Sequence, residues 1–218
     1  MDSLNEIKSK HFIQDLIEEG EHVQQDFKFQ ISDARKIARS ISAFANNKGG
    51  HLLIGVKDNG KIVGIESEEE IYMIEQAASI YCKPEQYVKC QIYRVEGKGV
   101  LKVDIAPAIK LPVKAQDENK KWKAYYRVAD ENVLVSSLHV KVWNNHSKEK
   151  SALINLGEKE QTLIRIISNE GRITLKDYMV KAHISKKEAE NIVINLCSMK
   201  MLDFEYKGGE CYIVLAED

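Results

Sequence analysis

Four groups of side chains in this sequence have types and spacings suited to chemistry at a phosphate. Lys110, Lys114, Lys120, Lys121, Lys123 and Arg127 cluster, with Trp122, Tyr125 and Tyr126 interleaved. Cations in such clusters displace counterions from a phosphate backbone, and exposed rings stack on bases. Asp117 and Glu118 dilute the cluster, and a solvated hairpin tip with Trp122 in the core is the alternative. Gly49 and Gly50, beside Lys48 and three residues after Asn46, form a turn whose amides suit an anion. A plain glycine cap on a helix, with Asn46 closing that helix, would read the same way. Glu21 and Asp26, five apart ahead of Phe27-Lys28, and Asp58 after an apolar run are the acids of interest. Metal-dependent phosphodiester cleavage needs several carboxylate oxygens around Mg²⁺ or Mn²⁺, whereas solvated or hairpin-capping acids satisfy the same spacing. Finally, Lys186, Lys187, Asn191 and Asn195 fall outward on one helix. Asn reads adenine and Lys contacts guanine or phosphate in a major groove.

The elements that must position these groups follow from periodicity. Residues 1–19 place Leu4, Ile7, Ile13, Leu16 and Ile17 at helical spacing, and Gly20 ends the run. Val23, Phe27 and Phe29 suit a strand. Ser32 or Asp33 caps a helix to about Asn46. His51–Val56 and Lys61–Ile65 are apolar strands around Asp58-Asn59-Gly60, a tight hairpin turn. A helix over 68–82 precedes Pro84, and strands are predicted near 88–96, 100–105, 112–116 and 123–128. Val133–Trp143 reads as a strand passing into a short helix. Residues 144–157, which open on the polar run 144–151, form the expected linker between a domain at 1–143 and a second at 158–218. The second reads as three helices and a hairpin, with Ser185-Lys186-Lys187-Glu188 as a capping box on the third. That order is the winged helix-turn-helix order. The expected fold is α+β, a mixed or antiparallel sheet flanked by helices, followed by a winged helix.

Composition removes several classes. The 218 residues carry 32 Lys and Arg against 33 Asp and Glu, a net charge of −1, which excludes a globally basic binder but not a local patch. Residues 158–218 hold nine Lys and Arg against eleven Asp and Glu, unfavourable for a strong DNA reader. No apolar run reaches the length of a membrane span, and residues 1–20 lack the apolar core of a secretory signal. The four cysteines form no C-x-x-C pair and read as reduced thiols of a cytoplasmic chain. The six histidines show no metal pair, and no phosphate-loop motif is present.

Ser42-Ala43-Phe44-Ala45-Asn46, Gly49-Gly50 and Ile54-Gly55-Val56-Lys57-Asp58 form one long ordered motif. With Ala106-Pro107, Pro112-Val113 and Tyr125-Tyr126-Arg127-Val128, it closely resembles the Schlafen-type AlbA domain, or AlbA_2, over about residues 12–140. The resemblance implies nucleic-acid binding, DNA rather than RNA, by a transcriptional regulator acting as a homodimer with no membrane partner. Taken with the residue types and placements above, the expected contacts are Asn46, Lys48, Gly49, Gly50, Lys57, Lys114, Lys120, Lys121, Lys123, Arg127, Lys186, Lys187 and Asn191. In ribonuclease members of the family three carboxylates form the active site, and the matching positions are Glu21, Asp26 and Asp58. Asp26 departs from the usual Glu and is one methylene shorter. The expected reading is therefore binding without a cofactor. The alternatives are a nuclease using Mg²⁺ or Mn²⁺ at those acids, and a protein-interaction module. A continuous positive groove joining Lys48, Lys57 and the 110–127 hairpin would favour nucleic acid.

Overall fold

The computed structural model describes residues 2–67, 69–146 and 156–216, with the backbone alone for 2–9 and 146. It divides into two compact units, Met1–Leu134 and Val135–Asp218. In the first unit, α1 (Asp2–Glu19), β1 (Gln25–Lys28), α2 (Ala34–Ala45), β2 (Gly50–Ile54) and α3 (Glu69–Ser79) lead into the strands. These are β3 (Cys82–Lys83), β4 (Val88–Val95), β5 (Lys98–Ile105), β6 (Lys114–Gln116), β7 (Trp122–Val128) and β8 (Glu131–Leu134). They form two sheets, ordered β1-β2-β5-β4 and β3-β6-β7-β8. Among the described residues only the β1–β2 pair is parallel. The class is the expected α+β with mixed and antiparallel sheets.

Strand alternation sorts the core. Leu52, Ile54, Leu101 and Val103 face one side of the first sheet, against Ile37, Ile41 and Phe44 of α2 and Ile74 of α3. Leu53 and Val100 face the other side, against Ile13 of α1, as a period of two requires. Helix α2 also carries the second sheet, because Val113, Ala115 and Tyr125 join the same core. Asp33 caps α2 by accepting a hydrogen bond from the Arg35 N–H at 2.8 Å.

Two expectations change. Lys61–Ile65 is not a strand: only Val56 and Ile62 form a bridge, because the Val63 and Gly64 amides both turn onto the Gly55 carbonyl. The boundary near residue 143 moves to Leu134, because α4 (Ser137–His146) buries Leu138 and Val142 in the core of the second unit. Of the expected linker, residues 147–155 lie outside the described residues.

The second unit continues with α5 (Glu158–Glu170), α6 (Leu175–Lys181), α7 (Lys186–Ser198), β9 (Leu202–Lys207) and β10 (Glu210–Leu215). Leu163, Ile167, Tyr178, Val193, Leu196 and Ile213 fill its core. Gly208 and Gly209, both at positive φ, turn the hairpin. Ile173 bridges to Ile213 beside it.

Thr174 and Ser185 cap α6 and α7 through their hydroxyl oxygens, Ser185 where the capping box predicts a cap. Ser185→Ala should destabilise the second unit by about 1 kcal/mol and Ser185→Thr by much less. Denaturant unfolding followed by Trp143 fluorescence measures this, and equal losses would show that packing, not the cap, holds this turn.

Candidate nucleic-acid interface and carboxylate pair

The carboxylates come first. The parallel β1–β2 pair buries Asp26, and β7 delivers the guanidinium of Arg127 to it. Arg127 Nη2 lies 3.3 Å from Asp26 Oδ1 and donates to the Gln25 carbonyl at 3.1 Å. Its Nε donates to the His22 carbonyl and its Nη1 to Asn132 Oδ1. The guanidinium carbon sits 5.0 Å from the centre of the Phe44 ring. Lys28 Nζ stands 2.7 Å from the other Asp26 oxygen. Glu21 Oε1 accepts the Phe27 N–H at 2.8 Å. Burial, and next its hydrogen bond with Asp26, raises the Glu21 pKa, so the two acids meet as a pair.

Asp58 does not join them. It lies in the exposed turn closed by hydrogen bonds between Lys57, Gly60 and Lys61. Among the described residues no three of His, Cys, Asp and Glu are grouped to hold a metal ion. Two protein cations already face Asp26, so the three acids do not fit the Mg²⁺ or Mn²⁺ of the nuclease alternative.

Several expected contact residues are scaffold instead. Asn46 is only 4% exposed. Its Nδ2 donates to the Val113 and Tyr125 carbonyls, each at 2.8 Å, and its Oδ1 accepts the Val113 N–H at 2.7 Å. Ser42, one helical turn earlier, donates to the Val113 carbonyl and accepts the Tyr125 N–H. Asn46 and Ser42 thus stitch α2 to the second sheet. Arg127, 1% exposed, is likewise consumed inside. Gly49 and Gly50 form a packing joint rather than an open cradle. The Gly49 amide caps α2 on the Phe44 carbonyl. A Cβ on Gly49 would stand 2.7 Å from the Ile105 carbonyl oxygen, and one on Gly50 2.5 Å from that of Gln24. Lys48 and Lys57 are exposed but lie beyond opposite ends of β2, a strand of about 16 Å. Lys57 rests 5.1 Å from the centre of the Phe29 ring.

The hairpin lysines lie differently. Asp117 is 5% exposed and accepts the Asn119 and Lys121 amides, while Lys123 Nζ sits 2.8 Å from it. Those contacts, the Lys123 hydrogen bond first, lower its pKa. Glu118 pairs with Arg39 at 3.0 Å. The acids that dilute the cluster are therefore already neutralised within the fold. Lys114, Lys120 and Lys121 form no ion pair among the described residues. Nor does Lys83, which β3 places directly across from Lys114. Lys83 carries no signal in sequence, because only the pairing of β3 with β6 brings it there.

In the second unit Lys186, Lys187 and Asn191 are exposed on α7. Lys187 and Asn191 line a groove of about 570 Å³ that also holds Glu158, Glu160 and Glu188. A cleft of about 670 Å³ in the first unit has no signature in the sequence. It joins Glu19, His22, His51, Tyr87, Lys89 and Asp104. His51 Nε2 lies 2.6 Å from Gln25 Oε1. Burial, then the Lys102 charge, lowers the His51 pKa to about 4.

Asn46→Ala should remove the side-chain partner of the Val113 N–H and of the Tyr125 carbonyl, while Ser42 keeps the Val113 carbonyl, at ~1–3 kcal/mol for each orphaned group. Calorimetry measures the loss, and a change under about 1 kcal/mol would show that solvent replaces the stitch. For His51, stability should be intact above its unfolded pKa of about 6.5 and fall as pH drops toward 4. Its imidazole resonances should titrate near 4 rather than 6.5, and titration near 6.5 would refute the buried setting.

The Schlafen, AlbA_2 family model matches residues 21–136, just over half of the chain. No curated protein matches it. Among solved structures, the DIP2311 protein from Corynebacterium diphtheriae is 21% identical with a TM-score of 0.44. That match covers 83% of this chain and 33% of the other, so this chain spans a third of that protein's length. The N-terminal domain of a RecG-related protein from Nitrosomonas europaea is 19% identical with a TM-score of 0.38, over 67% of this chain and 94% of that one.

Proposed function

The chain belongs to the Schlafen AlbA_2 family, and from that membership and the lysine face we propose that it binds nucleic acid. One observation carries the reading. The acids of the 114–123 hairpin are already matched by cations of the fold, buried Asp117 by Lys123 and exposed Glu118 by Arg39, whereas Lys83, Lys114, Lys120 and Lys121 pair with no acid among the described residues. In a chain of net charge −1, such local separation is what turns a near-neutral protein into a phosphate binder. We extend the reading to DNA rather than RNA, and to a transcriptional regulator that acts as a homodimer in the cytoplasm. The second unit follows the winged-helix order, and α7 would present Lys186, Lys187 and Asn191 to a duplex.

A specific observation favours a second reading for that unit. Glu158, Glu160 and Glu188 share the groove beside Lys187 and Asn191. Three carboxylates outnumber the two lysines of the groove, Lys159 and Lys187, of which Lys159 already pairs with Glu188, so contact with protein, a second copy of the chain included, suits this groove better. The nuclease reading has no such support, because Asp58 stands apart and Asp26 faces Arg127 and Lys28.

Duplex affinity should fall steeply with salt. Lys120→Ala with Lys121→Ala should weaken binding across sequences and flatten the log–log salt slope by about 0.9 for each phosphate that the variant no longer neutralises. Fluorescence anisotropy at several salt concentrations measures both, and an unchanged slope and affinity would remove the hairpin from the interface.

A further inference from the structure

A large aromatic ring in a short strand usually turns into the core, and Tyr125 does so. Trp122 does the opposite. Successive residues of a strand point to opposite faces, so Trp122, Ala124 and Tyr126 lie on the face away from Tyr125 and Arg127. Across that outer face, Gln116 stands opposite Trp122, and Lys114 stands opposite both Ala124 and Lys83. Trp122 remains 37% exposed. Lys83 Nζ hovers 5.9 Å from the centre of its ring. The β3-β6-β7 face therefore presents an accessible indole with two lysines beside it, and Lys120 and Lys121 in the adjoining turn.

We propose that this face binds single-stranded nucleic acid, with one unstacked base on Trp122 and its flanking phosphates on Lys83 and Lys114. The inference rests on the nucleic-acid reading above and narrows it. A duplex hides the faces of its bases, so the lysines would serve it while the indole contributed nothing. A single strand uses both, because every base has a π-face and stacks without regard to sequence. An exposed cation–π contact is weaker than a base stacked on an indole. An arriving base thus displaces the Lys83 ammonium from the ring and leaves it beside the phosphate that follows the base. The register supports this division of labour. Lys83 and Lys114 sit on neighbouring strands about 4.8 Å apart, one step from the indole on the same face. The groups recognised, a base face and phosphates, are common to single-stranded DNA and RNA.

The full chain should be titrated by anisotropy with labelled oligo-dT, oligo-U and a duplex of equal length. Trp122→Ala should lower single-strand affinity about tenfold and change duplex affinity by less than about twofold. Trp122→Phe should restore most of the loss and guards against a folding defect. Lys83→Ala should weaken single-strand binding and flatten its salt slope. Stronger binding of oligo-dT or of oligo-U would identify the sugar, and either supports the inference. Equal loss on single strand and duplex would assign the ring to holding the hairpin and overturn the inference, as would no loss on the single strand. In both of those cases wild-type duplex binding leaves the broader reading standing. Absence of wild-type binding to all three probes at low salt would overturn both.

Discussion

The guanidinium of Arg127 is the tie on which the first unit depends. It reaches from β7 to the buried Asp26 and to the carbonyls of His22 and Gln25, and to Asn132 on β8, across the ring of Phe44. One side chain thereby joins both sheets and the helix between them. A buried charge that loses its partner is costly, about 3–5 kcal/mol where such pairs are broken. Arg127 must therefore point inward, and a slip of one residue in β7 is excluded because it would reverse every side chain on the strand. The same parity that sends Arg127 and Tyr125 in sends Trp122 out. The aromatic on the surface is a consequence of the cation in the core.

That tie also decides the fate of the acidic motif. An Asp at position 26 facing Arg127 and Lys28 is an anchor between strands, and half-buried Glu21 lies beside it with its pKa raised by burial and by the Asp26 carboxylate. The S-A-F-A-N stretch behaves in the same way. Ser42 and Asn46, four apart on α2, face one side and satisfy the backbone groups of Val113 and Tyr125. Polar residues in a helix that packs between two sheets have to be matched to edge backbone groups. The most distinctive motif of the chain is thus largely a joinery of its layers.

Charge follows a similar logic. Lys and Arg nearly balance Asp and Glu over the whole chain, yet the fold does not mix them evenly. Asp117 is buried under its own turn beside Lys123, and exposed Glu118 pairs with Arg39, so both hairpin acids are already matched by cations. In the second unit Glu158, Glu160 and Glu188 stay at the groove. The first unit thus leaves a local lysine face, whereas carboxylates outnumber lysines at the groove of the second.

The elements were legible in the sequence where local forces rule. Helical spacing with the Asp33 cap defines α2, the Ser185 capping box defines α7, and alternation between turn residues locates β4, β5 and β7. Local signals also marked the lysines at 114–123 and the acids at 21 and 26. They could not rank them, because exposure is decided by what packs alongside. Asn46 and Arg127 have the types of ligand-binding residues and became scaffold, since partners 67 and 101 residues away claim them. Lys83 entered the surface only through strand pairing with Lys114, and Asp58 left the acidic group because its turn extends beyond β2. Residue type and short-range spacing, which the sequence contains, determine which chemistry a segment is equipped for. Which side chains meet, and which face water, depended on long-range pairings whose register only the assembled sheets supply.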